Sequence, residues 1–456
     1  MNETRKDDSS LNRRDFIKAG AIAGLGAAIG GMSLTNCATM RIKGEARTEY
    51  RVPPLSPVRM GFVGVGGMGS AHVRNFLEID GVEIKAVCDI VPEKVERIQK
   101  WVVDAGHPKP TGYTRGETDF EQLCAEENID LVFTATPWRW HVPVCLAAMK
   151  NGKHAATEVP AAVTLDECWQ LVETAEKTGL HCIMMENCCY DRTELLVLNL
   201  VRKGILGELV HAECGYLHDL RELKFSNKGE GLWRTEHSIK RNGNLYPTHG
   251  LGPVAQCMNI NRGDQFDYLV SMSSKSIGLH EFAVENFGPE HDFARQKFAL
   301  GDVNTSLIRT HQERTIIVIH DCSLPRPYTR INLVQGTKGI VQKWPDRVYI
   351  EGRSPHHKWE EVEAYREEFE HPLWKELTEQ AQGKGHGGMD YIEDYRLIYC
   401  LRNGLPMDMD VYDAAAWSAV SELSERSVAN RSKPIDFPDF TRGKWKTNPP
   451  LGIVHA

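Results

Sequence analysis

The sequence predicts an α/β protein: a Rossmann domain with a doubly wound, mostly parallel sheet, then an α+β domain with a largely antiparallel open sheet. Three observations carry this. A strand, a glycine turn, a helix, a second strand and an acid follow one another from residue 58 to 89. Helical and strand-like runs then alternate to about residue 190, which implies parallel strands with crossover helices. Beyond that point the β-branched runs FDYLVSMSSKS, VNTSLIRT, RTIIVIHDCS, TRINLVQGT and GIVQKW read as an antiparallel sheet.

In the first unit, VRMGFVGVG is a short apolar run ending in glycines, GGMGSAHVRNFLEI turns helical, and VEIKAVCD is the second strand. Gly64, Gly66 and Gly69 fill the G-x-G-x-x-G fingerprint. The first glycine allows a tight turn, the second lets the backbone approach a pyrophosphate, and the third lets the helix pack closely on the strand. The helix N-terminus favours phosphate charge. Asp89 ends the second strand, where a carboxylate accepts from a ribose 2′-hydroxyl and repels a 2′-phosphate; this favours NAD over NADP. Glycines serving only helix–strand packing would read the same in isolation. The strand, helix and acid in place argue for nucleotide binding. Further on, the strand ends carry Trp138 to His141, Glu158-Val159 and Asn187, where ligands lie in such sheets.

The 456 residues, 41% apolar and 25% charged, have the composition of a globular protein, and the formal net charge of −8 gives no support for nucleic-acid binding. Near the start, NRRDFIKAG (residues 12–20) followed by AGAIAGLGAAIGG matches a twin-arginine export signal. The implied partner is the twin-arginine translocase, and the implied location is the periplasm or cell surface. SLTNCA resembles a relaxed lipoprotein box with Cys37 as the lipidated residue, although Asn36 stands where Gly or Ala is usual. The expected organisation is a signal over 1–37, a linker over 38–56, an NAD-binding domain over 57–190, a substrate domain over 191–440 and a tail over 441–456. No pair among the twelve cysteines forms a C-x-x-C array, so buried free thiols are expected. HGGMDY (residues 386–391) offers too few ligands for a metal, and its glycines suggest a turn into the last helix.

GNLYPTHGLGPVAQCMNI (residues 243–260) carries the richest chemistry of the second unit. Tyr246 and His249 are three apart, and Pro247 fits a first helical turn, so both side chains project from a helix start. Histidine titrates near neutrality and tyrosine relays or donates a proton. From spacing alone, a capped helix with a satisfied histidine is the plainer reading.

GVGGMGSAHV, ATPWRWH and the following E-x-P resemble the glucose–fructose oxidoreductase-like superfamily over most of residues 57–440. Many of its members have lysine in the middle of E-x-P; here Val159 stands there, which argues against a lysine-assisted alcohol oxidation. Together with TEVPAA, MMENCCY, GLWRTEHS and NLYPTHGLGP, the chain resembles glycoside hydrolase family 109, the NAD-dependent α-N-acetylgalactosaminidases. This resemblance implies a bound NAD that oxidises the sugar and is reset before product leaves. It implies that Gly67, Met68, Asp89, Trp138, Arg139, Trp140, His141, Glu158, Val159 and Asn187 line the NAD. It implies that Tyr216, Arg234, Tyr246, Pro247, Thr248, His249 and Tyr328 line a glycan ending in α-linked N-acetylgalactosamine, with His249 and Tyr246 as the acid–base pair. For Tyr216 and Tyr328 alone, surface aromatics would be the plainer reading. The alternative function is a periplasmic sugar oxidoreductase with bound nicotinamide. A homodimer is left open, since exposed sheet faces are often covered that way in this fold.

Overall fold

The computed structural model describes residues 52–453, so the twin-arginine segment and Cys37 lie outside the described residues. Fifteen named strands form two sheets among the described residues. The first has β1 (Val58–Val63), β2 (Val82–Cys88), β3 (Thr111–Tyr113), β4 (Leu131–Thr134), β5 (His154–Thr157) and β6 (Cys182–Met184) in the order β3-β2-β1-β4-β5-β6. Every pair in it is parallel. These strands read as continuous apolar runs because helices cover both faces. The crossovers include α1 (Gly67–Phe76), α2 (Pro92–Asp104), α3 (Phe120–Glu126), α4 (His141–Lys150) and α5 (Leu165–Thr178). α5 starts on a capping box in which the Thr164 hydroxyl accepts from the Glu167 N–H and the Glu167 carboxylate accepts from the Thr164 N–H. Strand order reverses between β1 and β4, the place where ligands bind in such sheets.

After α6 (Arg192–Arg202) come β7 (Leu209–Leu217), α7 (Gly231–Lys240), α8 (Thr248–Cys257), β8 (Phe266–Ser273), β9 (Val303–Thr310) and β10 (Thr315–Asp321). Then follow β11 (Leu333–Gly336), β12 (Gly339–Gln342), β13 (Arg347–Ile350), β14 (Glu360–Glu361) and, near the end, β15 (Ile435–Asp436). Their order is β14-β13-β12-β11-β7-β10-β9-β8-β15. The β7–β10 pair is parallel and the rest antiparallel, so the second sheet is mixed but mostly antiparallel. Along β9, Asn304, Ser306 and Ile308 point inward while Thr305 and Leu307 face solvent. Met272, Leu307 and Val210 leave apolar surface exposed.

Two late helices return to the first sheet. α9 (Met389–Asn403) packs on α1 and β1, and α10 (Val411–Ala429) packs on α5, β6 and β8. α10 therefore lies against both sheets. HGGMDY leads into α9, which is not the last helix, and α10 starts on another capping box, between Asp410 and Asp413. The run LHCIMMENCCY is strand only at its start, over Cys182–Met184. The strand stops at Met184, because the Glu186 carboxylate accepts from the Cys188 N–H and turns residues Asn187–Tyr190 into a 3-10 helix. Beyond residue 440 the chain still packs, with Trp445, Leu451 and Ile453 buried. All eleven described cysteines are buried free thiols. No helix among the described residues is long and apolar enough to cross a membrane.

Candidate active site

The dinucleotide loop leaves β1 through Gly64, whose φ of +81° suits glycine. A Cβ on Gly69 would lie 2.1 Å from the Gly64 carbonyl oxygen, so only glycine lets α1 come this close to the strand. A Cβ on Gly66 would meet only Lys94 Nζ at 4.0 Å, and one on Gly67 would meet nothing within that distance. No protein neighbour requires glycine at these two positions; the open space in front of them suits a phosphate approaching the backbone. Met68 follows in the first turn of α1. Asp89 is held by two backbone donors, Val65 N–H and Val91 N–H, each at 2.9 Å, which fixes its carboxylate beside the loop. The residues present therefore fit a dinucleotide.

At the ends of β4 and β5 the expected cofactor residues separate into different environments. Arg139 is exposed and pairs with Glu117 at 2.7 Å. Trp140 packs edge-on against Phe120. His141 is buried, with Nδ1 2.8 Å from the Pro160 carbonyl and Nε2 2.8 Å from the Thr136 carbonyl. That ring ties the β4 loop to the Glu158-Val159-Pro160 loop, and burial lowers its pKa. Val159 is buried. Glu158 accepts from His72 Nε2 at 2.7 Å, and Asn187 donates to Asp390 at 2.7 Å. Trp138 faces the second unit: its ring stacks on Tyr246 at 5.5 Å and meets Trp233 at 5.0 Å.

From there the expected substrate residues form one aromatic cluster. Tyr246 lies 4.6 Å from Tyr216 and 4.8 Å from His249, ring to ring. Tyr216 is 5.3 Å from His249 and 6.1 Å from Tyr328. The Arg234 guanidinium sits over Trp138, Trp233 and Tyr246 at 5.1, 5.3 and 5.1 Å and pairs with Glu230 at 2.6 Å. Burial pushes the Tyr216 and Tyr246 phenols well above their ordinary pKa, so both remain neutral donors. The helix itself begins at Thr248 with Pro247 as its cap. Tyr246 therefore precedes the helix, as expected for the residue before a proline, and its ring still meets His249 at 4.8 Å. Proline lacks an N–H, so it sits where a helix needs none.

Spacing did not reveal the partner of His249. Nδ1 lies 2.7 Å from Glu186 Oε1, and Glu186 is wholly buried. Burial opposes the Glu186 charge, but His249 and neighbouring hydrogen bonds outweigh it and hold the carboxyl below its usual range. A buried carboxylate behind Nδ1 orients the ring and leaves Nε2 to serve as the base. Glu186 could have been suspected from its place at the end of β6. Tyr216 has a second polar neighbour, since its hydroxyl lies 2.9 Å from His218 Nδ1. Glu186, Cys188 and His249 also bring potential metal ligands within 4.8 Å of one another. However, His249 Nδ1 is engaged by Glu186, and burial raises the Cys188 thiol well above its ordinary pKa, which disfavours the thiolate a metal needs.

Tyr328 is anchored by Arg330, which donates to its hydroxyl at 2.9 Å and also to Glu194 and Asp191. Burial still pushes Glu194 up to about 7. Arg330→Ala leaves the buried Glu194 carboxyl without its cation, while Asp191 keeps Lys343. It is expected to cost about 3–5 kcal/mol, read as a lower urea midpoint; an unchanged midpoint would show that the pair does not hold this wall of the site.

Residues 190–447 match the family of the glycosyl hydrolase 109 C-terminal domain, and residues 58–186 match the oxidoreductase family with an NAD-binding Rossmann fold. A glycosyl hydrolase family 109 protein of Shewanella pealeana is 48% identical, over 97% of this chain and 99% of the relative. An α-N-acetylgalactosaminidase of Shewanella oneidensis is 46% identical, over 98% of this chain and 100% of the relative. Among solved structures, a levoglucosan dehydrogenase in complex with NADH superposes with a TM-score of 0.64 at 18% identity, covering 84% of this chain and 99% of that one. A scyllo-inositol dehydrogenase from Lactobacillus casei with bound NAD(H) and scyllo-inositol gives 0.58 at 12% identity, over 83% and 98%. At such identities these two support the fold alone. The nucleotide of the first unit is NAD.

Proposed function

Because the chain belongs to glycosyl hydrolase family 109, we propose that it removes terminal α-linked N-acetylgalactosamine from glycans, and does so outside the cytoplasm. The observation that carries this reading is the His249–Glu186 pair, at 2.7 Å, set among aromatic rings beside the carboxyl ends of the first sheet. The name of the Shewanella oneidensis relative supports the sugar. When bound, NAD supplies a hydride acceptor at the sugar's C3 that is restored within each turnover.

His249 Nε2 takes the proton of the C3 hydroxyl, and Glu186 steadies the imidazolium that results. The transient C3 ketone acidifies the C2 hydrogen, which His249 removes once it has released its first proton, and the neutral phenols of Tyr216 and Tyr246 serve as donors to the departing C1 oxygen. The C1 substituent then leaves, and water adds at C1. Arg234, held over three aromatic rings, offers hydrogen bonds to the sugar, and Tyr216, Tyr246 and Tyr328 offer flat faces and hydroxyls. Paired carboxylates of an ordinary glycosidase are not needed, since NAD-dependent glycosidases are exceptions to that rule.

The proposal also accounts for the conjunction of an export signal with a dinucleotide site. Twin-arginine export carries folded protein, so cofactor is loaded before export. A cofactor reset in every turnover needs no external pool.

Incubation with an aryl α-N-acetylgalactosaminide tests the reading. Aryl alcohol and intact reducing sugar are expected in equal amounts. Accumulation of an oxidised sugar instead would favour a sugar oxidoreductase.

A further inference from the structure

Behind the cofactor edge lies a buried chain of charges that the chemistry above does not use. His72 stands in α1, in the turn after the dinucleotide loop, and is 1% exposed. Its Nδ1 lies 2.8 and 3.0 Å from the two carboxylate oxygens of Asp394, and its Nε2 lies 2.7 Å from Glu158 Oε1. Asn75 donates to Asp394 Oδ2 at 2.8 Å, and Phe133 packs 4.7 Å from the imidazole. Both ring nitrogens face carboxylates, so both are best used as donors, which is the imidazolium form. The pKa agrees in direction. Burial opposes the charge, but the attraction of Asp394 and the bonds to Asp394 and Glu158 raise His72 well above the ordinary range.

Only the Glu158 end of this chain opens outward. The Glu158 side chain is 14% exposed, against 1% for His72 and 0% for Asp394. It directly follows β5, on the carboxyl edge of the sheet. One helical turn earlier on α9, Asp390 makes a parallel connection: it accepts from Asn187 at 2.7 Å and lies 2.8 Å from His386 Nδ1. α9 thus backs two residues of the cofactor edge, one directly and one through His72. The left-handed backbone at His386 (φ +46°) and Gly387 (φ +74°) turns the chain into this helix.

We propose that His72, clamped by Asp394, is a positioning residue that fixes the Glu158 carboxylate toward the bound dinucleotide, and that α9 thereby governs how tightly NAD is held. The inference rests on NAD binding and not on the glycosidase reading, so its test measures cofactor release and leaves sugar chemistry aside.

Release of NAD from purified holoenzyme is followed by timed gel filtration. His72→Asn keeps a donor toward Asp394 and loses the one toward Glu158; His72→Gln keeps the donor toward Glu158. His72→Asn is expected to release NAD about ten-fold faster, the scale of one lost charge-assisted hydrogen bond. His72→Gln should be affected less, and Glu158→Gln should match His72→Asn. The double variant His72→Asn/Glu158→Gln should release NAD no faster than either single one, because both act through the same carboxylate. Wild-type release by His72→Asn, or effects that multiply in the double variant, would overturn the proposal. So would a lowered urea midpoint with release unchanged, which marks a purely structural role. Should the His72 variants fail to fold, Asp394→Asn, whose single amide oxygen still accepts from Asn75 while the charge that clamps His72 is gone, enters the same cycle with Glu158→Gln under the same criteria.

Discussion

Replacing His249 with alanine is expected to lower turnover by about 10²–10⁴-fold, the usual contribution of a positioned acid–base group, while NAD stays bound. The separation follows from the geometry. His249 belongs to α8 and leans on Glu186, while the dinucleotide loop belongs to the β1–α1 turn. Glu186→Gln should cause a smaller loss, because an amide oxygen still accepts from Nδ1–H but no longer balances an imidazolium. Single-turnover assays on variants with bound NAD counted by absorbance provide the check. Near-normal turnover in His249→Ala would remove that residue from the chemistry.

The second large effect concerns two glycines of one loop that do different work. Gly66→Ala is expected to weaken NAD binding more than ten-fold, roughly the loss of 1.4 kcal/mol or more, while the cofactor-free protein loses less melting temperature than the Gly69 variant. Its Cβ would enter space that no protein atom fills more closely than Lys94 Nζ at 4.0 Å. Gly69→Ala should lose stability as well. Its Cβ would collide with the Gly64 carbonyl at 2.1 Å, and forcing atoms into a packed region costs about 1–3 kcal/mol or more. Melting temperature and NAD affinity, measured together on both variants, separate the roles. Equal melting temperatures for the two would contradict this assignment.

The first sheet was legible because local signals agreed there: apolar runs, a glycine turn and Asp89 at the strand end. The mostly antiparallel second sheet followed from its β-branched runs, but the parallel β7–β10 pair did not, since pairing between strands about a hundred residues apart leaves no local mark. α10 was overlooked although Asp410 and Asp413 announce its start. In the site, Tyr246 and His249 stood close in sequence, and the structure keeps them in ring contact. Glu186 is 63 residues from His249, and Asp394 is 322 from His72. Neither pair has a spacing to betray it; each exists because separate elements converge. His141 shows the converse: it sits in a telling motif, yet both ring nitrogens face backbone carbonyls.

The central claim is a hydrolysis that passes through oxidation and resets itself. The most direct measurement is to incubate purified protein, with no NAD added, with an aryl α-N-acetylgalactosaminide in deuterated water and to analyse the released sugar. The account predicts aryl release with deuterium at C2. Release that carries no deuterium there, and shows no isotope effect with a C2-deuterated substrate, would contradict it.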